Sequence, residues 1–146
     1  MRDLAENLMT TTAGLRRVVR RRVRETLPHA PLRAGQVELL RVVESHPGIG
    51  VAAAARALHL AGNSVSTLVN QLVDAGLLER RADPADRRAA RLELTGAART
   101  RLASWRRTRT GFVASAVATL SSADRDAIEA ALPALGRLID ALQEEK

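Results

Sequence analysis

Five polar residues of the chain are spaced to lie on one face of a helix. Apolar residues recur at steps of three and four between residues 65 and 72, which predicts a buried helix face there. The polar residues on the opposite face are Asn63, Ser64, Thr67, Asn70 and Gln71. Asn and Gln can each pair with adenine through two hydrogen bonds, and Ser and Thr can bond several bases. Taken alone, such a face is more often simply solvated. The neighbouring residues must therefore show whether this face contacts bases.

A second candidate group is formed by Asp86, Arg87 and Arg88, on a charged loop further along the chain. An arginine at a loop tip can enter the minor groove of DNA. A carboxylate two residues away can hold its guanidinium through paired hydrogen bonds. Four flanking arginines are candidates for phosphate contacts, which give affinity without sequence information. They are Arg80, Arg81, Arg91 and Arg99. Beside this basic segment, nucleic-acid binding explains the polar helix face better than solvation does.

The chain lacks the residue patterns of an enzyme. Its three histidines, His29, His46 and His59, stand singly, with no carboxylate at the spacing of a metal site. Without cysteine it can form no disulfide, cysteine-based zinc site or thiol nucleophile. It also has no glycine-rich phosphate loop. We therefore expect a protein that is not an enzyme and that needs no metal or cofactor.

The charge of the chain is large and unevenly distributed. The 146 residues carry a formal net charge of +7, which favours nucleic acid first and anionic membranes second as partners. Residues 124–146 hold three basic and six acidic side chains, so residues 1–123 alone carry +10. We expect the acidic end to face away from a polyanion. No signal peptide or membrane helix is evident, so the expected location is cytoplasmic.

The elements that must position these residues are predicted to be mainly helical. With one Trp, one Phe and no Tyr, the chain is poorly suited to a large sheet, whereas its Ala and Leu favour helices. A long helix is predicted over residues 4–27 and should end before Pro28. Three shorter helices should follow, around residues 37–43, over 51–60, and from Ala61-Gly62 to Ala75-Gly76.

The only convincing β-strand pattern in the sequence predicts a hairpin. Short alternating runs at residues 77–81 and 90–94 flank turn formers centred on Asp83-Pro84. A long helix is then predicted from Thr95-Gly96 to about Leu120.

The last predicted helix starts with Ser122 as its N-cap. Its apolar residues alternate steps of four and three, a heptad spacing that suits packing against another helix. These residues are Ile128, Leu132, Leu135, Ile139 and Leu142. Pro133 should kink or split the helix. An apolar seam of this kind needs a covering partner, so we expect a two-fold dimer.

The predicted order of helix, short helix, turn, helix and hairpin is that of a winged helix-turn-helix. Two stretches resemble the MarR (multiple antibiotic resistance regulator) family of bacterial transcription factors. Residues 65–80, VSTLVNQLVDAGLLER, are similar to its recognition helix and first wing strand. Residues 83–88, DPADRR, followed by Leu94-Thr95, are similar to its wing tip and the entry to its next helix. The resemblance covers essentially the whole chain, although the family often has Ser or Thr where Ala61-Gly62 stands.

The resemblance implies a mainly α fold with a small β-hairpin wing, a winged helix-turn-helix with N- and C-terminal dimerisation helices. The implied boundaries within a single domain, 1–146, are 31–100 for the DNA-binding lobe and 1–30 with 101–146 for the dimerisation region. It also implies a homodimeric transcriptional repressor that binds a pseudo-palindromic operator in double-stranded DNA. On this basis Arg88 enters the minor groove, Arg87 lies beside it, and Asp86 orients it.

The resemblance further implies release from DNA by a small anionic or aromatic effector. The family's long fifth helix borders the effector pocket, which makes Trp105 a candidate pocket residue, although this Trp also suits a core. Two other classes stay open: a helical interaction protein, and a binder of anionic membrane surfaces, both without sequence-specific DNA binding. The Asp86 and Arg88 wing argues against the first, and the second would show no sequence preference.

Overall fold

The computed structural model describes residues 1–86 and 89–144, which form six helices and three strands. The helices are α1 (Arg2–Thr26), α2 (Ala34–Ser45), α3 (Val51–Leu58), α4 (Gly62–Asp74), α5 (Gly96–Ala118) and α6 (Ser122–Glu144). The strands are β1 (Ile49–Gly50), β2 (Leu78–Ala82) and β3 (Ala90–Leu94). The mainly helical fold with a small hairpin is therefore confirmed.

The chain divides into two compact units. The winged unit comprises residues 23–107, and the terminal unit combines residues 1–22 with those from 108 onward. Each unit contains part of the long helices α1 and α5, so the boundary does not coincide with the ends of elements.

The core lies in the winged unit, where α2, α3, α4 and the sheet pack together. Its fully buried side chains include Leu39, Leu40, Val65, Val69, Leu72, Leu78 and Leu92. The apolar face predicted for α4 is confirmed, with Leu68 half-buried at its edge. On α2 the buried residues are Leu39, Leu40 and Val43, whereas Val37 of the predicted face is only half-buried.

The sheet is antiparallel, with strand order β1-β3-β2. The predicted hairpin is confirmed, although β2 begins one residue later than the sequence pattern suggested. Leu78 pairs with Leu94, and Arg80 pairs with Leu92. Strand β1 pairs Ile49 with Leu92 and was not predicted, because two residues are too few to show an alternating pattern.

The end of α4 fixes where the hairpin begins. Gly76 adopts a φ of +69°, and its N–H donates to the Val73 carbonyl at 2.9 Å. The N–H of Leu77 donates to the Leu72 carbonyl at 2.8 Å. These two bonds form a Schellman turn, which favours glycine at the left-handed position. The predicted helix end at this glycine is confirmed.

Ser121, and not Ser122, caps α6. The Ser121 hydroxyl oxygen accepts the Asp124 N–H at 3.1 Å, and the hydroxyl donates to the Asp124 carboxylate at 2.6 Å. The predicted cap was one residue late because either of two adjacent serines can supply the oxygen. α6 continues through Pro133, so of the two predicted effects this proline does not split the helix, and the kink stays a prediction.

The helix α6 has no buried side chain. Of its heptad residues, Ile128, Leu132, Ile139 and Leu142 are exposed and Leu135 is half-buried. Leu132, for example, keeps 58% of its surface exposed.

Within residues 1–86 and 89–144, no helix combines the length and the apolar character needed to cross a membrane.

Candidate nucleic-acid interface

The polar face of α4 is built largely as predicted. Asn63, Ser64, Thr67 and Asn70 are all exposed. Asn63 orders the first turn, since its side-chain oxygen accepts the Ser64 N–H at 2.8 Å and its carbonyl accepts the Thr67 hydroxyl at 3.0 Å. The N-cap Ala61 supplies no side-chain bond, so Asn63 satisfies one of the N–H groups that the cap leaves open.

Gln71 stands apart from the other four residues. It is half-buried, and its side-chain oxygen accepts the amide of Gln36 on α2 at 3.1 Å. Gln36 in turn accepts the backbone N–H of Arg33 at 2.9 Å. The Gln71 oxygen therefore joins α4 to the start of α2. In this arrangement Gln71 does not offer the free oxygen and amide that paired adenine bonds require.

The predicted phosphate-binding arginines of the hairpin lie on two opposite faces of the sheet. Arg80 shares a face with the buried Leu78, because alternate residues of a strand point the same way. Arg81 and Arg91 are cross-strand partners on the other face. The sequence could not separate them, since it does not reveal which face of the hairpin packs on the helices.

Arg80 contacts α4 directly. Its Nη2 donates to Oδ1 of Asn70 at 2.5 Å, and both side chains are exposed. Two predicted site residues from different elements are thus joined, which places the basic strand against the third turn of the polar helix.

Arg91 is held by Asp83, a residue that sequence reasoning used only as a turn former. Arg91 Nε lies 3.1 Å from the Asp83 carboxylate, which also accepts the Ala85 N–H at 2.9 Å. The Ala85 bond and then the Arg91 bond hold the pKa of Asp83 below its usual range. The Asp83 N–H donates to the Ala89 carbonyl at 3.0 Å. Asp83 thereby fixes both strands where the wing loop leaves the sheet.

Of the predicted wing-tip residues, Asp86 is described and its carbonyl accepts the Ala89 N–H at 3.0 Å. Arg87 and Arg88 lie outside the described residues, so the minor-groove role of Arg88 stays a prediction. Arg81 has an ion pair within its own strand, with Glu79 at 3.4 Å.

Arg99 is exposed on α5 and borders a small cavity of about 200 Å³. The cavity is lined by Val43, Glu44, Pro47, Glu93, Leu94 and Arg99. Two of these residues are acidic, so Arg99 lies near carboxylates of α2 and β3. This setting differs from that of Arg80, whose observed partner is a neutral amide.

Trp105 is half-buried on α5, and the Arg41 guanidinium lies over its ring, 5.0 Å from the ring centre. One residue further, Arg106 makes two bonds to the Glu44 carboxylate, at 2.7 and 2.9 Å. The Arg106 bonds lower the pKa of Glu44, against the opposing effect of desolvation. Within the winged unit, these contacts fasten α5 to α2.

Within residues 1–86 and 89–144, no group of three or more His, Asp or Glu side chains is arranged to hold a metal ion.

The fold and the polar helix with its basic hairpin define a winged helix-turn-helix. Residues 31–89 match the family model described as MarR family. A provisionally assigned transcriptional regulator from Pseudomonas aeruginosa is 27% identical, with 94% of each chain covered and a TM-score of 0.82. A comparison with curated proteins gave no match.

Two more solved structures share the fold at lower identity. A MarR family protein from Bacillus stearothermophilus is 19% identical, with 94% of each chain covered and a TM-score of 0.75. Streptococcus pneumoniae FabT, solved in complex with DNA, is also 19% identical, covers 97% of this chain and 98% of its own, and has a TM-score of 0.73. The family-model match over residues 31–89 and the shared fold support the MarR family, to which the sequence resemblance pointed.

Proposed function

We propose that the protein is a transcriptional repressor that binds a pseudo-palindromic operator in double-stranded DNA as a homodimer. α4 would lie in the major groove, and the hairpin would reach the adjacent minor groove through Arg88. The FabT complex supports this proposal, since a protein of the same fold was solved on DNA.

One observation carries the proposal. α4 buries Val65, Val69 and Leu72 completely while Asn63 and Thr67 on its other face remain exposed. A helix with this division can be seated firmly on its own domain and still offer hydrogen-bonding groups to base edges. The basic hairpin lies directly beside it through the bond of Arg80 to α4.

The proposal of a dimer rests on the apolar surface of the terminal unit. Its helix α6 exposes apolar residues at heptad spacing, and a second copy with the same seam would cover them. A two-fold protein matches a two-fold operator, which is why we infer a pseudo-palindromic site.

Selection of random duplexes on the purified protein tests the function. We expect recovery of one inverted-repeat sequence, bound in gel shifts despite excess unrelated DNA. Arg88→Ala should weaken binding by about 1–3 kcal/mol per half-site. Binding without sequence preference, together with equal binding to vesicles of anionic lipid, would identify a membrane-surface protein. Absence of binding to both would favour a helical interaction protein.

The proposed signal is a small carboxylate or phenol that binds beside Trp105 and lowers operator affinity. An effector acts only through its differential affinity for the two conformations of the dimer. Because the chain has no cysteine, thiol oxidation cannot be the switch, and mild peroxide should leave operator binding intact. Titration of DNA-bound protein with such compounds, monitored by Trp105 fluorescence, checks the effector. A gel shift after mild peroxide treatment checks that oxidation leaves operator binding intact.

A further inference from the structure

The bond between Arg80 and Asn70 determines what Asn70 can recognise. A guanidinium has five N–H donors and no acceptor, so the Asn70 atom that faces it is the side-chain oxygen. The remaining polar atoms of the two side chains are then the Asn70 amide and the other guanidinium N–H groups, all of which are donors.

A side-chain pair made of donors is poorly matched to adenine. Paired recognition of adenine needs the Asn oxygen to accept from the base amino group while the Asn amide donates to N7. Here Arg80 already uses one of the two lone pairs of that oxygen at 2.5 Å and sets a positive charge beside it, which disfavours a second donor. An incoming amino group would meet a competing donor, so the pair instead favours acceptors.

The Arg80 guanidinium also has no carboxylate partner among residues 1–86 and 89–144. Arg81 pairs with Glu79, and Arg91 pairs with Asp83. Arg80 is bonded to a neutral amide, which leaves its full charge for an external anion. This makes it the described hairpin arginine best suited to a phosphate.

The position of Asn70 along α4 points the same way. Residues near the start of a recognition helix contact base edges. Asn70 follows Asn63 by seven residues, about 10 Å further along the helix axis at 1.5 Å per residue. Its partner Arg80 lies on the strand and not on the helix.

We propose that Asn70 and Arg80 form a donor-only pair that binds a DNA phosphate, and that Asn70 is not a base-reading residue. This inference rests on the proposed DNA-binding function. It assigns Asn70 and Arg80 to affinity and to positioning of the domain, and leaves sequence reading on α4 to the residues of its first two turns.

The test measures binding of wild type and variants to two probes across a salt titration: the best duplex from the random selection, and a duplex of unrelated sequence. Arg80→Ala should weaken binding to both probes by a similar factor and reduce the salt slope by about one per protomer. Asn70→Asp keeps an acceptor for Arg80 but neutralises its charge, so it should weaken both probes more than Asn70→Ala does. Arg137→Ala, on acidic α6, is the control for loss of one positive charge and should keep the wild-type slope.

Random selection repeated with Asn70→Ala gives the decisive comparison, with thermal unfolding to confirm that each variant is folded. We expect the wild-type base preferences at every position. Relaxed preference at an adenine would overturn the proposal and return Asn70 to base reading. A loss of binding confined to duplexes with guanine at one position would overturn the proposal in favour of a base contact by the pair. An unchanged salt slope for Arg80→Ala would also overturn it. If the wild-type protein bound neither probe, the proposed function itself would fail.

Discussion

The two compact units of this protein differ in the burial of their apolar residues. In residues 1–86 and 89–144, every fully buried apolar side chain lies between Val23 and Leu102, inside the winged unit. The terminal unit instead exposes most of its large apolar residues. These are Met1, Leu4, Met9, Leu15, Val18, Leu120, Ile128, Leu132, Leu138, Ile139 and Leu142. The winged unit can therefore be stabilised by its own core, whereas the terminal unit needs a partner to remove its apolar surface from water.

Truncation of one core leucine should produce the largest loss of stability. Leu72 is fully buried on α4, so Leu72→Ala removes apolar contacts and leaves a cavity. We expect the free energy of unfolding to fall by about 2–5 kcal/mol, measured in urea. The loss should not depend on protein concentration. A loss below about 1 kcal/mol would mean that the winged unit does not depend on this core.

The same truncation on the α6 seam should act on association instead. Leu132 is 58% exposed in the protomer, so Leu132→Ala creates no cavity there. If a second copy covers it, the dimer dissociation constant should rise by about tenfold or more, equivalent to about 1.4 kcal/mol. Light scattering over a dilution series measures this change. A wild-type protein that is monomeric at micromolar concentration would contradict the contrast between the units.

The turn that joins α4 to the hairpin should give a smaller effect. Gly76 has a φ of +69° and open space around its Cα, so Gly76→Ala costs backbone strain without a clash. We expect a loss of about 1–2 kcal/mol in unfolding free energy. Gly111→Ala in the middle of α5 is the matched control and should stabilise by about 0.5–1 kcal/mol. Equal effects of the two variants would refute the role of the left-handed turn.

The smallest expected effect concerns the fastening of α5 to α2. Hydrogen bonds from Arg106 lower the pKa of Glu44 in the folded state, so this carboxylate stabilises the fold above its unfolded pKa. The contribution should be lost as the pH falls through the lowered folded pKa. Glu44→Gln should therefore lower the melting temperature slightly at neutral pH, and this difference should shrink as the pH falls through the lowered pKa. Glu38→Gln, on the same helix, controls for the charge, and a Glu44→Gln difference that persisted at low pH would exclude the ion pair as its cause.

The two units also show why some sites can be predicted from sequence and others cannot. The face of α4 followed from helix periodicity, since Val65, Val69 and Leu72 are all buried as their spacing required. Gln71 lies on the predicted polar side, yet its contact with Gln36 depends on how α2 crosses α4. No local pattern contains that crossing.

The sequence by itself determined the helices, the hairpin, the Gly76 turn and the resemblance to the MarR family. These features rest on periodicity and local backbone preferences, which act between residues close together in the chain. The tertiary structure decided the partners of the charged residues. Arg80 and Arg81 are adjacent and identical in type, but strand register sends Arg80 to Asn70 and leaves Arg81 with Glu79. Such partners depend on which faces of distant elements meet, and that is fixed only when the core of the winged unit has packed.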